Sequence, residues 1–554
     1  MSHRRLIATA VVLAASVAAV PGMAYAAGSS QARTTMIHAA TATLPKASAD
    51  FKTFSSPASH SVRTQAVKAR AVKSQDAAAT PDPSLGLGLV ATTTSAYGLS
   101  LDSNITGAAG VPLTVTITWG DGTSTNAQAT GTGTVTKAHE YAHVGSFTVT
   151  VTVTDGQGDT VANAVSGATA GSDFTAFGPT RLLDTRAGTG APKAKVGAGT
   201  AVTLQVGGQP GIPAGVTAAV LNVTVTDAAK GGFITAYADG TDRPASSNVN
   251  FVAGQTVPNQ VIVPVGSNGA VDLYNASGGT VDLIADIAGY FTASQASGYT
   301  PVTPYRLIDT RNATGTAKAQ IPGHGSITAQ VAGAGKGLVP STGVTAVALN
   351  VTVTGSKAPG FLTVYPDGGS TPVASNVNFL TNQTIANAAI TPVGADGKIR
   401  ILNGSGLPTD VVVDVVGYYS AASKSAYVPV PPTRVIDTRS AGIGAIPAGI
   451  YLPLPLSAGV PDITGWVLNS TVTDTKAAGY LAVAPDPNTL DDYNNNTFTI
   501  PNKPSSSTLN WTKGATVANL VQASSGANGI IDFWNSSSGT TDVVIDAFGY
   551  YQND

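Results

Sequence analysis

The sequence predicts an all-β protein made of tandem β-sandwich domains, and three observations lead to this prediction. The chain contains 62 Gly and 33 Pro among 554 residues, and its acidic side chains are Asp with the single exception of Glu140; Gly, Pro and Asp favour turns, whereas Glu favours helices. Many short segments carry an apolar residue at every second position, the pattern of a strand with one buried face. One sequence block also recurs at spacings of 125 and 128 residues.

The composition excludes several classes of protein. Charged residues make up 11% of the chain, less than half of the roughly 25% that is usual for soluble domains. The absence of Cys excludes a disulfide scaffold and a thiolate zinc site. With a formal net charge of −2, the chain has no basic excess to attract nucleic acid, so none is predicted as a partner.

Residues 1–26 are predicted to be a secretory signal peptide. Arg4 and Arg5 precede an apolar run over 6–20, and Ala24-Tyr25-Ala26 fits a cleavage site. The general export route fits better than the twin-arginine route. Residues 27–83 are rich in Ala, Ser, Thr and Lys without periodicity, which predicts a disordered basic linker, either a solvated spacer or an attachment to an anionic surface.

No later segment has 18 consecutive apolar residues, so no transmembrane segment is predicted. The chain stops soon after Gly549-Tyr550-Tyr551, which leaves no room for a membrane tail or a wall-sorting signal. We therefore expect a secreted, extracellular protein, either released or held non-covalently at the cell surface.

Residues 84–172 are predicted to form the first folded domain. The segments 111–119 and 147–154 alternate strongly, and Trp119-Gly120-Asp121-Gly122 forms a turn between strands. Together with the later run from His139 to Asp155, these residues resemble the PKD (polycystic kidney disease) domain over about residues 84–170. The resemblance implies an immunoglobulin-like sandwich that acts as a spacer or contacts protein or polysaccharide. Trp119 is interpreted as a core residue rather than a sugar platform, and Asp121 as a turn former rather than a calcium ligand.

His139-Glu140-Tyr141-Ala142-His143 matches the H-E-x-x-H pattern of zinc proteases. That chemistry requires a helix, which puts both His side chains on one face. Here the flanking residues favour strands, so we predict a pair of His residues at a strand edge and no metal site.

After residue 172 the sequence contains three similar copies of one block, which share several motifs. Arg181-Leu-Leu-Asp-Thr-Arg186 returns as 306–311 and 434–439, and an aromatic residue stands seven positions before each copy. Equivalent Asn and Asp residues and a closing Gly-Tyr-aromatic triplet follow. The aromatic residues are Phe174, Tyr299 and Tyr427. Three Asn positions recur: Asn222 with Asn350 and Asn469, Asn250 with Asn378 and Asn510, and Asn259 with Asn387 and Asn519. Near the end of each copy stands a further Asp, which we call the late Asp: Asp286, Asp414 and Asp546.

We predict three β repeats at 173–297, 298–425 and 426–554. Each holds about eight alternating segments, which suggests a sandwich or jelly-roll-like domain. Each is long enough to bury its own core, and Pro-rich hinges at 292–304 and 420–432 predict an extended string of separate domains. The repeats resemble units found in secreted proteins of actinobacteria, a resemblance that implies location and no ligand. The sequence leaves the oligomeric state open.

The repeated polar residues have two interpretations. In the first, Arg181 or Arg186 pairs with Asp184 or Asp286 and joins the first strand of a repeat to the last, because an unpaired Asp286 in an apolar strand costs several kcal/mol. Asn222, Asn250 and Asn259 then bond buried backbone or turn groups. In the second, these residues form a polar cup that binds a sugar or calcium in each copy.

The third repeat departs most from the pattern. It contains Trp466, Trp511 and Trp534, and an insertion at 491–496 that is predicted to be a solvated loop. These features make it the repeat most suited to a separate contact role.

The sequence predicts a non-catalytic protein with no cofactor. It contains no Cys nucleophile and no G-x-S-x-G motif, and His139, His143 and His324 do not recur between the repeats. We expect multivalent binding to an extracellular polysaccharide, cell wall or surface protein, since tethered weak sites gain effective concentration. The alternatives are a stalk without a ligand and a secreted hydrolase, or the accessory part of one, with two carboxylates per repeat as a glycosidase pair.

Overall fold

A computed structural model describes residues 52–64, 85–107, 110–155, 159–440 and 443–553. The signal peptide predicted at 1–26 lies outside these residues. The described chain folds almost entirely into antiparallel strands arranged in eight sheets, which confirms the all-β fold of tandem sandwiches. No helix among the described ranges has the length and apolar character needed to cross a membrane.

The first unit is a sandwich of a four-stranded and a five-stranded sheet. The sheet orders are β1-β3-β4-β7 and β2-β9-β8-β5-β6. A core around the fully buried Trp119 lies between them. The strands are β1 (Thr53–Ser56), β2 (Val62–Thr64), β3 (Gly86–Thr93), β4 (Gly98–Thr106), β5 (Pro112–Thr118), β6 (Ser124–Thr130), β7 (Gly133–Glu140), β8 (Ser146–Asp155) and β9 (Thr160–Ala168), with a 3-10 turn at Ala58–His60.

Strands β1 and β2 correct the prediction that 27–83 is a disordered linker, which is wrong for residues 52–64. β1 pairs with β3, and β2 pairs with β9. The buried Ser56 donates its hydroxyl to Asn163 Oδ1 at 2.8 Å, and the Asn163 amide donates to the backbone oxygen of Leu87 at 2.7 Å. Polar bonds of this kind and the single aromatic Phe54, which packs against the core, hold the segment, so it has no apolar alternation that periodicity could reveal.

Each repeat is an eight-stranded sandwich with jelly-roll connections. In the first repeat the sheet orders are β10-β17-β12-β15 and β11-β16-β13-β14, so the first and last strands are neighbours. We call the first of these sheets the inner sheet and the second the outer sheet. The strands are β10 (Asp173–Asp184), β11 (Ala201–Gln205), β12 (Val216–Thr226), β13 (Gly232–Ala238), β14 (Val249–Phe251), β15 (Val257–Pro264), β16 (Ala270–Asn275) and β17 (Asp282–Thr292).

The second and third repeats have the same strand order in both sheets. The second repeat contains β18 (Gly298–Asp309), β19 (Ser326–Gln330), β20 (Val344–Thr354), β21 (Gly360–Pro366), β22 (Val377–Phe379), β23 (Ile385–Pro392), β24 (Lys398–Asn403) and β25 (Asp410–Ser420), with a 3-10 turn at Gly335–Gly337. The third contains β26 (Ala426–Asp437), β27 (Tyr451–Leu454), β28 (Ile463–Thr473), β29 (Gly479–Pro485), helix α1 (Leu490–Asn494), β30 (Leu509–Trp511), β31 (Val517–Ser524), β32 (Ile531–Ser537) and β33 (Asp542–Gln552).

The inner sheets are buried on both faces. Leu221 and Val223 of β12 face the core of their own repeat, while Ala218 and Val220 of the same strand face a cluster shared by all three repeats. The outer strands alternate between buried and exposed residues, as β11 does, because their second face meets solvent. The inner sheets therefore point toward one another, and the three repeats form a single closed head.

The centre of the head is a ring of aromatic side chains. The aromatic residue that opens one repeat packs against the one that closes the next, in cyclic order. The ring centroids are separated by 4.2 Å for Phe174–Tyr419, 4.2 Å for Tyr299–Tyr551 and 4.6 Å for Tyr427–Phe291. The Gly of each closing triplet leaves space for the opening ring of its own repeat, since a Cβ added to Gly289 would overlap Phe174.

The closed head corrects the prediction of an extended string of domains. The segments 292–304 and 420–432 do not act as hinges, because most of their residues belong to strands that continue the inner sheets. The backbone also bridges between repeats at their starts, where Tyr427 and Ser172 exchange two hydrogen bonds of 2.8 and 2.9 Å. The Pro residues in these segments lie where strands begin or bend rather than in flexible spacers.

The first unit packs on one end of the head, which we call the proximal end. Tyr97 donates its hydroxyl to the backbone oxygen of Lys424 at 2.5 Å, and the backbone N–H of Ala96 donates to Gln552 at 3.3 Å. Gln552 pairs with Ala426 where the inner sheet of the third repeat begins and ends. The opposite, distal end lies about 24 Å away, the length of an eight-residue strand such as β15.

Candidate functional site

The Arg and Asp residues of each repeat form a compact ion cluster. Arg181 donates from Nε to Asp286 Oδ1 at 2.8 Å and from Nη1 to Asp184 Oδ2 at 3.2 Å. Arg186 donates from Nη2 to Asp184 Oδ2 at 2.8 Å. Asp286 is 2% exposed. The predicted pairing of the first strand with the last is confirmed.

The ion cluster also reaches the next repeat, which the sequence did not indicate. The Nη2 group of the first Arg in each motif also donates to a backbone oxygen of the following repeat in cyclic order. The contacts are Arg181 to Val373 at 3.1 Å, Arg306 to Ser505 at 2.9 Å and Arg434 to Ala245 at 3.1 Å. The cluster therefore joins repeats and does not open as a polar cup.

Two kinds of carboxyl group occur in these clusters. Hydrogen bonds from Arg186 are the main reason that the pKa of Asp184 lies below its ordinary value. Asp286 shows the opposite shift, because burial raises the pKa of its carboxyl above the ordinary value although Arg181 opposes this. In the second repeat, burial raises the pKa of Asp414 to about 6. In each late Asp the Arg partner therefore offsets part of the cost of burying the carboxylate.

Replacing Asp414 with Asn is expected to change how stability depends on pH. The folded-state pKa of about 6 lies above the ordinary Asp value of 3.8, so between these values the folded protein binds more protons than the unfolded chain, and stability falls as pH rises. The difference corresponds to about 3 kcal/mol. In D414N the decline between about pH 4 and pH 6 should be smaller by about this amount, as measured by urea unfolding at several pH values, while Asp286 and Asp546 keep their own contributions. The same decline in D414N and the wild type would contradict the assignment.

An Asn network runs around the axis of the head. Asn222, whose side chain was predicted to bond buried backbone, donates to the backbone oxygen of Ser375 in the next repeat at 2.6 Å. Asn387 of that repeat donates to Asn222 Oδ1 at 3.0 Å and accepts from the backbone N–H of Gln260 at 3.3 Å. The same pattern recurs around the ring for Asn350 with Ser507 and Asn519, and for Asn469 with Ser247 and Asn259.

The H-E-x-x-H residues lie in and after strand β7, as predicted, and contact different partners. His139 stacks on Trp119 with ring centroids 4.6 Å apart, and its Nε2 lies 2.8 Å from Asp121 Oδ2. His143 lies 3.2 Å from the side chain of Gln295. Among the residues that the structure describes, no group of three or more His, Asp or Glu side chains is placed to hold a metal ion.

Trp119 is a core residue and Asp121 a turn former, as interpreted from the sequence. Trp119 is fully buried. Asp121 accepts from the backbone N–H of Thr123 at 2.9 Å, and hydrogen bonds from Thr123 and His139 outweigh the effect of burial and lower its pKa to about 2.

The insertion at 491–496 corrects the prediction of a solvated loop. It forms helix α1, which begins with a capping box between Thr489 and Asp492. Tyr493 is fully buried and donates its hydroxyl to Asp486 at 2.5 Å. Tyr493 of this short polar segment therefore belongs to a small hydrophobic cluster with Tyr451 and Trp534. The sequence predicts a solvated loop because the insertion is otherwise made of Asp and Asn, but its one aromatic residue, Tyr493, is buried and fixes the segment in place.

The three Trp residues of the third repeat are each 5% exposed and form no surface platform. One of them, Trp511, lines a cavity that the sequence analysis missed. This cavity, which we call the distal cavity, has a volume of about 500 Å³ and is bordered by all three repeats. It lies at the distal end, since its walls include Val257, the residue paired with Val225 near the end of β12, and its floor includes Asn259.

The rim of the distal cavity is formed by the equivalent turns between β14 and β15, β22 and β23, and β30 and β31. Val252 and Leu380 stand at matching positions of two of these turns and are each 65% exposed. The recurring Gln255 and Gln383, three residues later, are the sequence signal that could have indicated this rim. The turn between β30 and β31 carries the exposed Lys513 on the rim, whereas none of the described residues that line the cavity itself is charged.

Comparisons with known proteins give little guidance. No protein-family model and no curated protein matches the chain, so the PKD and actinobacterial resemblances stay predictions. A solved tetra-tandem repeat from the extending region of a large adhesion protein is similar at 15% identity over 82% of this chain and 96% of that chain, with a TM-score of 0.12. A structure of Sulfolobus Turreted Icosahedral Virus is similar at 9% identity over 71% and 87%, with a TM-score of 0.13. At such TM-scores neither likeness bears on function.

Proposed function

We propose that the protein is a non-catalytic extracellular binding protein whose three-repeat head contacts a polymer or a surface protein through its distal end. The observation that carries the proposal is the distal cavity, to which all three repeats contribute. It lies opposite the end that contacts the first unit. Concave sites with apolar walls and a few polar groups are the usual form of ligand sites.

The repeated polar residues support binding over catalysis. A glycosidase needs two carboxyl groups that face a substrate, whereas Asp184 and Asp286 both bond to Arg181 within a buried junction. The closed head also favours binding over a stalk of separate spacers, because three repeats packed side by side are much shorter than three repeats in a line. The signal peptide predicted at 1–26 supports export, and with it an extracellular partner.

Retention of the full chain on insoluble peptidoglycan, chitin, cellulose and starch tests this function. We expect retention on at least one of these polymers. The double variant V252D/L380D should abolish it, because it places two charges on the distal rim. Val62→Asp is the matched control, since Val62 is 68% exposed but lies in the first unit. Equal retention of V252D/L380D and V62D would contradict a distal contact surface, and no retention of the wild type would contradict polymer binding.

A further inference from the structure

We infer that the distal cavity binds a neutral saccharide unit. This inference rests on the proposed function and deepens it by assigning the site and the class of ligand. It differs from the sugar-binding cup considered from the sequence, whose Arg and Asp residues are bonded at the repeat junctions.

Two side-chain amides of the rim are oriented as hydrogen-bond donors. Gln255 accepts from the backbone N–H of Val252 at 3.0 Å through Oε1, and Gln383 accepts from that of Leu380 at 2.8 Å in the same way. Because the oxygen is used in each case, the Nε2 group is left to donate to a ligand. The third repeat has Ala515 at the equivalent position, so the donors come from two sides of the cavity.

The third side supplies an acceptor and an aromatic ring. In the first two repeats, Asn250 and Asn378 accept through Oδ1 from Ser247 and Ser375 at 3.3 and 3.0 Å. The equivalent Oδ1 of Asn510 is buried and has no hydrogen-bond partner among the described residues. A buried acceptor without a partner costs about 1–3 kcal/mol, a cost that is removed when the Asn510 side chain, which borders the cavity, turns its Oδ1 toward a ligand hydroxyl.

Trp511 borders the cavity with only a small part of its ring, since the side chain is 5% exposed and packs in the core of the third repeat. Its Nε1 donates to the backbone oxygen of Ala477 at 2.9 Å, which fixes the indole in the cavity wall. Phe233 and Phe251 add two further aromatic side chains to the lining. The lining therefore combines apolar rings with neutral amide groups.

A neutral saccharide matches this set of groups better than the alternatives. Its hydroxyls accept from Gln255 and Gln383 and donate to Asn510, and its C–H groups contact the apolar side chains of the lining. A charged group inside the cavity would lose its hydration without an opposite charge among the lining residues, since the exposed Lys513 of the rim lies outside that lining. An apolar peptide side chain would fill the volume but leave the Asn510 acceptor without a donor.

Fluorine NMR of the full chain labelled with 5-fluorotryptophan tests the inference. The chain has four Trp residues, so Trp119, Trp466 and Trp534 serve as internal controls, and Trp511→Phe assigns the remaining signal. The probes are cellotriose, maltotriose and chitotriose, with trigalacturonate as the charged comparison and trileucine as the apolar peptide. A concentration of about 10 mM is enough to detect a millimolar Kd.

We expect at least one neutral trisaccharide to shift the Trp511 signal and to leave the other three unchanged. The variant Q255A/Q383A should weaken this binding by about tenfold or more, because two hydrogen bonds are lost. Gln330→Ala removes an exposed amide from an outer strand and should leave binding unchanged. Unchanged control signals show that each variant is folded.

A shift caused only by trigalacturonate or only by trileucine would overturn the saccharide assignment. Equal affinity of Q255A/Q383A and the wild type would overturn the assigned donors. Retention on a neutral polymer without any effect on Trp511 would overturn the cavity as the site while leaving the proposed function intact. No retention on any polymer and no NMR shift would overturn both the saccharide assignment and polymer binding as the proposed function.

Discussion

Replacing Arg306 with Ala is expected to lower the free energy of unfolding by about 3–5 kcal/mol at pH 7, the cost of leaving a buried charge without its partner. Asp414, which is 1% exposed, would lose its hydrogen bond of 2.6 Å from Arg306 Nε. The backbone oxygen of Ser505 in the third repeat would lose its bond of 2.9 Å as well. The substitution therefore weakens the second repeat and its junction with the third.

The loss should shrink as the pH is lowered. The pKa of Asp414 is already about 6 in the intact protein, and removing Arg306 raises it further, so protonation relieves the unpaired charge. We expect a smaller difference between R306A and the wild type at pH 5 than at pH 7, measured by urea unfolding. Arg311→Ala is the matched control, because Arg311 is about half exposed and bonds to Asp309. Equal losses in R306A and R311A would contradict the role of the buried junction.

Replacing Tyr551 with Ala is expected to destabilise the head by about 3–5 kcal/mol, the cost of removing a buried aromatic ring. Tyr551 is fully buried, and its ring stacks on Tyr299 of the second repeat. Its hydroxyl lies 2.6 Å from that of Tyr419 and 2.8 Å from the Gln522 amide. Tyr551→Phe keeps the ring and should cost only about 1–2 kcal/mol.

The more specific expectation concerns cooperativity. Because the Tyr551 ring belongs to a cluster shared by all three repeats, Y551A should shift the unfolding of the whole head in differential scanning calorimetry. Tyr274→Ala, in an outer strand, should have a smaller effect. A transition that remains at the wild-type temperature for the first two repeats in Y551A would show that the repeats unfold separately.

The fold of each repeat followed from local patterns, but the assembly of the repeats did not. Alternating segments and turn residues predicted sandwiches, because burial of one face leaves a period of two. The sequence around Asp286, Leu-Ile-Ala-Asp-Ile-Ala-Gly-Tyr-Phe, is apolar at both parities. A strand of that kind is buried on both faces, and this signal already indicated that each inner sheet needs a second covering layer.

For the repeated polar residues, too, contacts within one repeat could be predicted from the sequence and contacts between repeats could not. Arg181 and Asp286 were paired correctly because a buried charge requires a partner. Their contact with Val373, 192 residues from Arg181, depends on how repeats dock, which no spacing within one repeat encodes. The distal cavity was missed for the same reason, since Phe251, Gln383 and Trp511 come together only when the ring closes.

Small-angle X-ray scattering of residues 172–554 tests the closed head most directly. A compact chain of this length has a radius of gyration of about 21 Å, whereas three separate sandwiches in a line would exceed about 30 Å. The contacts between Phe174 and Tyr419, Tyr299 and Tyr551, and Tyr427 and Phe291 predict the smaller value. A radius of gyration above about 30 Å at low concentration would contradict the closed arrangement.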